Sequence, residues 1–148
     1  MRRKILNEVK AEFPAKSVNE GLARVIAAAL VSQLDPTLDE MADLKTAVSE
    51  AVTNCIVHAY KEKAGVVKLR AAYYEGRIVR VRVKDEGGGI ADVHKAMEPL
   101  YTTDASGERS GMGFAIMGSF TDKLRVTSKP GKGTTVIFEK KLAEHGRY

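Results

Sequence analysis

Apolar residues recur at two different spacings along the chain, and the points where the spacing changes outline the elements. Over 4–13, KILNEVKAEF alternates imperfectly between apolar and polar positions, which predicts a first strand. SVNE at 17–20 has the form of a capping box, with Ser17 as the cap and Glu20 reaching back. GLARVIAAALVSQL then carries apolar residues at helical intervals to about Leu34. DPTLDE restarts a helix: Pro36 suits the entry turn, and acidic residues occupy the first turn, where the helix dipole favours them. This second helix is expected to run to about Tyr60.

The second half of the chain returns to strands. GVVKLRAAYY reads as one strand, Glu75-Gly76 as a short turn, and RIVRVRVKD as the next strand. In the latter Val79, Val81 and Val83 face one way and Arg80, Arg82 and Lys84 the other. The pair forms a hairpin whose apolar face packs on the helices; its basic face meets solvent or a partner. After Pro99 the chain is rich in glycine and polar residues for about 20 positions, a length that compact domains reserve for lids and binding loops. GFAIMGSF predicts a short helix, and DKLRVTSKPGKGTTVIFEKKL a second hairpin turned at PGKG.

Composition narrows the class. The 148 residues, 44% of them hydrophobic, form one compact globular domain spanning 1–148, with no repeat or linker. A net charge of +5 suits phosphates, nucleotides, nucleic acid or an acidic protein, and is equally compatible with a lysine-rich solvated surface. No helix-turn-helix, zinc or RNA-binding signature is present, so direct DNA binding is not expected. The single cysteine, Cys55, excludes an intrachain disulfide and falls on the apolar arc of its helix. The basic start lacks an apolar run, and LARVIAAALV is too short to span a bilayer. A cytoplasmic protein without membrane attachment is expected.

Four constellations could carry chemistry. Glu50, Asn54 and His58 recur every four residues in EAVTNCIVHAY, forming an oblique polar stripe at the border of an apolar arc. Such a stripe is either a helix edge satisfied by neighbouring loops or a metal–phosphate site. In the second case one amide oxygen suffices for Mg²⁺, which keeps several waters, and a carboxylate one turn away can take a hydroxyl proton. DEGGGI ends an apolar strand with Asp85 followed by a glycine-rich turn. A carboxylate there needs hydrogen-bond donors; adenine's amino group is one, whereas guanine presents an acceptor in its place. ERSGMGF precedes a helix, so the N–H groups around Gly111 and Gly113 could bind an anion, with Arg109 close by. GKGTT suits a hairpin turn, and the hydroxyl of Thr134 could support Asp85 or a water beside a base.

In this order the four pieces resemble the GHKL ATPase superfamily. LKTAVSEAVTNCIVHAY, DEGGGI and PLYTT…ERSGMGFAIM look most like its small anti-sigma factor serine/threonine kinases from spore-forming bacteria. The resemblance covers residues 5 to 140. It implies an α+β fold of Bergerat type: a two-layer sandwich with a mixed, mainly antiparallel sheet, helices on one face, and ATP between the layers. It implies Asn54 as the Mg²⁺ ligand, Glu50 as general base, Asp85 on the adenine amino group, and Gly87 and Gly89 shaping the adenine pocket. Thr103, Ser110, Gly111, Met112 and Gly113 would line the nucleotide, Arg109 would approach the γ-phosphate, and Thr134 would lie near the base. His58 matches a position kept polar in that branch, either near phosphate or packed on the lid. Three departures stand out: Cys55 occupies a position where alanine is expected, DASG at 104–107 differs from the expected lid, and DEGGGI has glycine at its middle variable position, which loosens the pocket rim.

The implied biology is a homodimer that holds a sporulation-type sigma factor and uses Mg·ATP to phosphorylate a serine on an anti-anti-sigma (STAS-type) partner. A nucleotide-gated module that binds sigma without phosphotransfer would use the same pieces. A histidine-kinase fragment would need a further helical domain, for which the length leaves no room.

Overall fold

A computed structural model describes residues 3–59, 65–87, 117–118, 121–129 and 131–144. Strand β1 (Ile5–Pro14) leads to helix α1 (Asn19–Val31), a 3₁₀ turn (Ser32–Leu34) and helix α2 (Leu38–Thr53). The path of α2 continues as a π-helix (Asn54–Ala59). Strands β2 (Val66–Tyr74), β3 (Ile78–Lys84), β4 (Lys123–Lys129) and β5 (Gly133–Lys141) follow. The sheet order is β1-β2-β3-β5-β4, and each of these pairings is antiparallel.

Register turns the period-two pattern into continuous apolar rows. One row runs Ala11, Leu69, Val83, Val136, Val126 across the sheet, and the next runs Val9, Ala71, Val81, Phe138, Leu124. These rows meet the buried residues of the helices: Ala23, Ala27, Leu30 and Val31 from α1, and Leu44, Ala47, Val48, Ala51 and Val52 from α2. Alanines on both helices permit close approach, while Phe138 and Leu69 fill the volume beneath. The fold is therefore α+β in two layers, as the resemblance implies. Among the described residues no helix is long and apolar enough to cross a membrane.

The opposite face of the sheet is basic. Its central row is Lys10, Arg70, Arg82, Ile137, Arg125. A shallow groove there is lined by Lys10, Glu12, Lys68, Arg70, Arg82 and Lys84. Glu8 accepts from Arg70 at 2.6 Å, and Lys68 lies 3.6 Å from Glu86. The Arg70 hydrogen bond holds the Glu8 carboxyl below its ordinary range.

Helix entry differs from the expectation at one end and agrees at the other. Ser17 does not cap α1: Val18 is the cap residue, with no side-chain hydrogen bond. Glu20 does not reach back. Its carboxylate accepts from Arg24 (2.9 Å) and from Thr53 Oγ1 of α2 (3.1 Å), so an ion pair at i,i+4 and a tertiary contact displace the local box. The capping box forms instead at α2, where Thr37 Oγ1 accepts from Glu40 N–H and Glu40 accepts from Thr37 N–H. The other Glu40 oxygen accepts from Ala143 N–H, tying the chain after β5 to this helix start. Regular α geometry stops at Thr53, short of the expected Tyr60, which lies outside the described residues. The turn between β2 and β3 places Gly76 and Arg77 at φ 84° and 61°. The strained Arg77 is anchored, since its Nε donates to Ala143 O and its carbonyl accepts from Leu142 N–H.

Removing the box should be felt where it forms. Thr37→Ala is expected to cost about 1 kcal/mol in urea unfolding. Ser17→Ala should stay within about 0.5 kcal/mol.

Candidate nucleotide site

Asp85 follows the last residue of β3 on the helix-facing side and is 4% exposed. Burial of a carboxylate demands donors, and the main chain supplies them. Asp85 Oδ1 accepts from Gly87 N–H at 2.9 Å and from Thr134 N–H at 3.2 Å. Asp85 N–H in turn donates to Thr134 O at 2.9 Å, so the end of β3 and the start of β5 are closed on each other. The approach is very tight at Gly133, which sits at φ +97°. A Cβ on Gly133 would fall 2.2 Å from the Asp85 carbonyl oxygen and 2.7 Å from Glu86 Cα. Gly133 is thus part of the site, although its sequence context reads simply as a hairpin turn.

Thr134 does support Asp85, but through its backbone N–H. Its hydroxyl is engaged with Ser128 Oγ at 2.8 Å, across the β4–β5 pair. Register explains this: Ser128 is directly opposite Thr134.

The helical layer closes over the carboxylate. The Cys55 thiol is buried and close enough to Asp85 to feel its charge. Burial, followed by the neighbouring Asp85 charge, pushes the thiol well above its ordinary range, so it stays protonated. Burial also raises Asp85 above the usual carboxylate range, against the opposing pull of the Gly87 and Thr134 N–H groups and the thiol. Cys55 belongs to the buried core, as its place on the apolar arc implies.

Glu50 and Asn54 lie one helical turn apart and are joined directly, because Asn54 N–H donates to Glu50 O as well as to Ala51 O. Both are half-buried. From Asn54 the backbone pairs at i→i+5, which underwinds the helix. The four-residue step from Glu50 to Asn54 therefore does not carry to His58 at the same angle. The backbone of His58 lies in the π segment, and its side chain is outside what the structure describes. Helix α1 braces this region: Arg24 Nη1 bonds both Glu20 Oε1 (2.9 Å) and Ser49 Oγ (3.0 Å), while Thr53 bonds Glu20. Ser49 and Thr53 immediately precede Glu50 and Asn54.

Among the sequence-predicted residues, Asp85, Gly87 and Thr134 come together in one hydrogen-bonded cluster. Asn54 immediately precedes Cys55, the buried helical residue that feels the Asp85 charge. Gly89, Thr103, Arg109, Ser110, Gly111, Met112 and Gly113 lie outside the described residues. Among the described residues no group of His, Cys, Asp and Glu has the makings of a metal cage. A hard ion held by one amide oxygen, phosphates and water requires none.

Two outcomes test this geometry. Gly133→Ala should destabilise the fold by roughly 3 kcal/mol, read by denaturant unfolding, because strain at positive φ adds to a backbone clash. The second concerns acid. Asp85 has a folded pKa above its ordinary 3.8, so its ionised form costs stability at neutral pH. That cost is relieved as pH falls through the folded value towards 3.8. The stability of Asp85→Asn relative to the parent should therefore decline on acidification, measured by urea unfolding across that window.

Comparison with known proteins accords with this geometry. A family model described as a histidine kinase-like ATPase domain matches residues 13–140. The anti-sigma F factor of Caldanaerobacter subterraneus subsp. tengcongensis is 52% identical over 139 residues, covering 94% of this chain and 96% of that protein. That of Clostridium acetobutylicum is 53% identical over 137 residues, covering 93% and 95%. Among solved structures, the RsbU and RsbW domains of Rv1364c from Mycobacterium tuberculosis superpose with a TM-score of 0.66 at 19% identity, over 92% of this chain and 32% of that one. The chain belongs to the anti-sigma F factor family and carries its histidine kinase-like ATPase domain.

Proposed function

We propose that the protein is an ATP-dependent anti-sigma factor and protein serine/threonine kinase, which sequesters a sporulation-type sigma factor and phosphorylates a serine on an anti-anti-sigma (STAS-type) partner. The observation that carries the reading is the buried Asp85 carboxylate, held by Gly87 and Thr134 N–H groups beside the helical run of Glu50 and Asn54. A fixed acceptor at the inner end of a strand selects a base with an amino group, hence ATP over GTP. The names of the relatives support the sigma-factor role.

The proposed chemistry assigns each residue one task. Asp85 orients the adenine, with Gly87 and Gly89 at the rim and Thr134 holding the carboxylate from below. Thr103, Ser110, Gly111, Met112 and Gly113 surround the triphosphate, and Arg109 meets the γ-phosphate. His58, in the π segment after Asn54, serves either the phosphates or the packing of the lid. Asn54 contributes a hard amide oxygen suited to Mg²⁺, which when bound neutralises charge on the phosphates. Glu50 accepts the proton of the partner's serine as its oxygen bonds the γ-phosphorus and the bond to the β-phosphate oxygen breaks, leaving ADP. Positioning and charge neutralisation dominate such transfers, and the base adds roughly 10²–10⁴-fold. The active form is a homodimer.

Incubation with Mg·ATP and a STAS-type partner should add one phosphate per partner, read by intact mass. Glu50→Ala should keep ATP affinity within about 3-fold and slow phosphorylation by roughly 10²–10⁴-fold. A partner left unmodified at saturating ATP, yet released from or bound to the protein according to nucleotide, would replace the kinase by a nucleotide-gated binding module.

A further inference from the structure

Among the described residues three polar or charged side chains are buried, and the candidate base site accounts for two of them, Asp85 and Thr134. The third is Thr53, 7% exposed, the last residue of α2 and the one before Asn54. A helical threonine hydroxyl can bond the carbonyl one turn back. That of Thr53 instead donates across to α1, to Glu20 Oε2 at 3.1 Å. The other Glu20 oxygen accepts from Arg24 Nη1 at 2.9 Å, and the same nitrogen donates to Ser49 Oγ at 3.0 Å. One carboxylate thus reaches α2 by two arms. The arms end on the residues that immediately precede Glu50 and Asn54.

Ser49 and Thr53 are one helical turn apart and share a face of α2. Glu50 and Asn54 form the adjacent stripe, about 100° round the axis. Fixing the first pair therefore fixes how far the helix is turned, and with it the second pair. Ala23, Ala27, Ala47 and Ala51, all buried in the two helices, carry no side chain long enough to lock one helix against the other. The tether also falls where it is most needed, since backbone pairing changes to i→i+5 directly after Thr53.

We propose that Glu20 is a positioning residue: through Thr53, and through Arg24 and Ser49, its carboxylate sets the rotation of α2 and so holds Asn54 and Glu50 in place for Mg·ATP and the partner's hydroxyl. This rests on the reading that those two residues serve phosphoryl transfer. Glu20 acts through its two arms. Glu20→Ala cuts both; Thr53→Val keeps the shape and removes one hydroxyl; Thr53→Ser keeps the hydroxyl.

The first readout needs no partner. The gain in ATP affinity on adding Mg²⁺, measured by calorimetry, should fall about 10-fold in Glu20→Ala and in Thr53→Val, and stay at the parent value in Thr53→Ser. The second is phosphorylation of a purified STAS-type partner. In the same two variants kcat should fall about 10- to 100-fold, with KM for the partner nearly unchanged. Thr53→Val keeps the test available if Glu20→Ala fails to fold. A lower melting temperature with both readouts at parent values would make Glu20 a packing residue and overturn the proposal. A raised KM for the partner at unchanged kcat would also overturn it, by placing Glu20 in a docking surface. So would a Thr53→Ser variant as impaired as Thr53→Val, since the hydroxyl would then have no part. A parent that leaves the partner unmodified sinks the kinase reading. The Mg²⁺ gain then decides the positioning role, which falls if Glu20→Ala and Thr53→Val keep that gain.

Discussion

The structure depends on how a buried carboxylate at the end of a central strand is satisfied. Asp85 is nearly inaccessible, and an ionised group in that position is tolerated only with donors on it. Two of those donors are main-chain N–H groups, and each imposes a constraint on the fold. The Thr134 N–H arrives only because β5 lies next to β3 and starts where β3 ends. Its arrival brings Gly133 so close that no side chain fits there. The Gly87 N–H arrives only if the chain turns back immediately after β3. The pairing of β5 with β3, the turn after β3 and the glycine at 133 are therefore all tied to one electrostatic requirement.

The helical layer closes over the same point. Close packing of alanines brings α2 down onto the sheet, and its π-helical continuation puts Cys55 in the core near Asp85. The change from i→i+4 to i→i+5 pairing falls at Asn54, between the residue assigned to the base role and the thiol. Helix α1 fixes the approach to this point through Glu20 and Arg24, which hold Ser49 and Thr53. Glu50 and Asn54 thus sit on a helix braced on both sides, which is what positioning chemistry requires of its scaffold.

What could be read from the sequence was what a single period determines. The alternation of Val79, Val81 and Val83 with Arg80, Arg82 and Lys84 specified the faces of β3, because one-residue slippage would bury the cations. Asp85 and its glycine-rich turn were likewise legible, since a carboxylate closing an apolar strand poses a question by itself. The caps were not separable by pattern. SVNE and TLDE both have box spacing, but Glu20 has Arg24 and Thr53 within reach and Glu40 has its own cap. The π segment was hidden because Cys55 and Ile56 remain buried under either pairing, so apolar periodicity does not distinguish them. Thr134 showed its hydroxyl to the reader of the sequence, whereas the fold uses its N–H, which no residue type announces.

The charge of the chain carries a related lesson. A net charge of +5 invites assignment to bound phosphate, yet Lys10, Lys68, Arg70, Arg82 and Lys84 gather on the sheet face turned away from the helices. Asp85 shares the face of Val79, Val81 and Val83, so this cluster and the candidate nucleotide site lie on opposite sides of one layer. The candidate site was therefore proposed from a buried anion and not from charge density. On the proposed reading this is economical. A base is recognised by one acceptor in a dry pocket, where a hydrogen bond discriminates strongly because an unmatched partner stays unpaired. Phosphate needs cations at the other end of the ligand, and there one guanidinium, one metal ion and a run of N–H groups suffice.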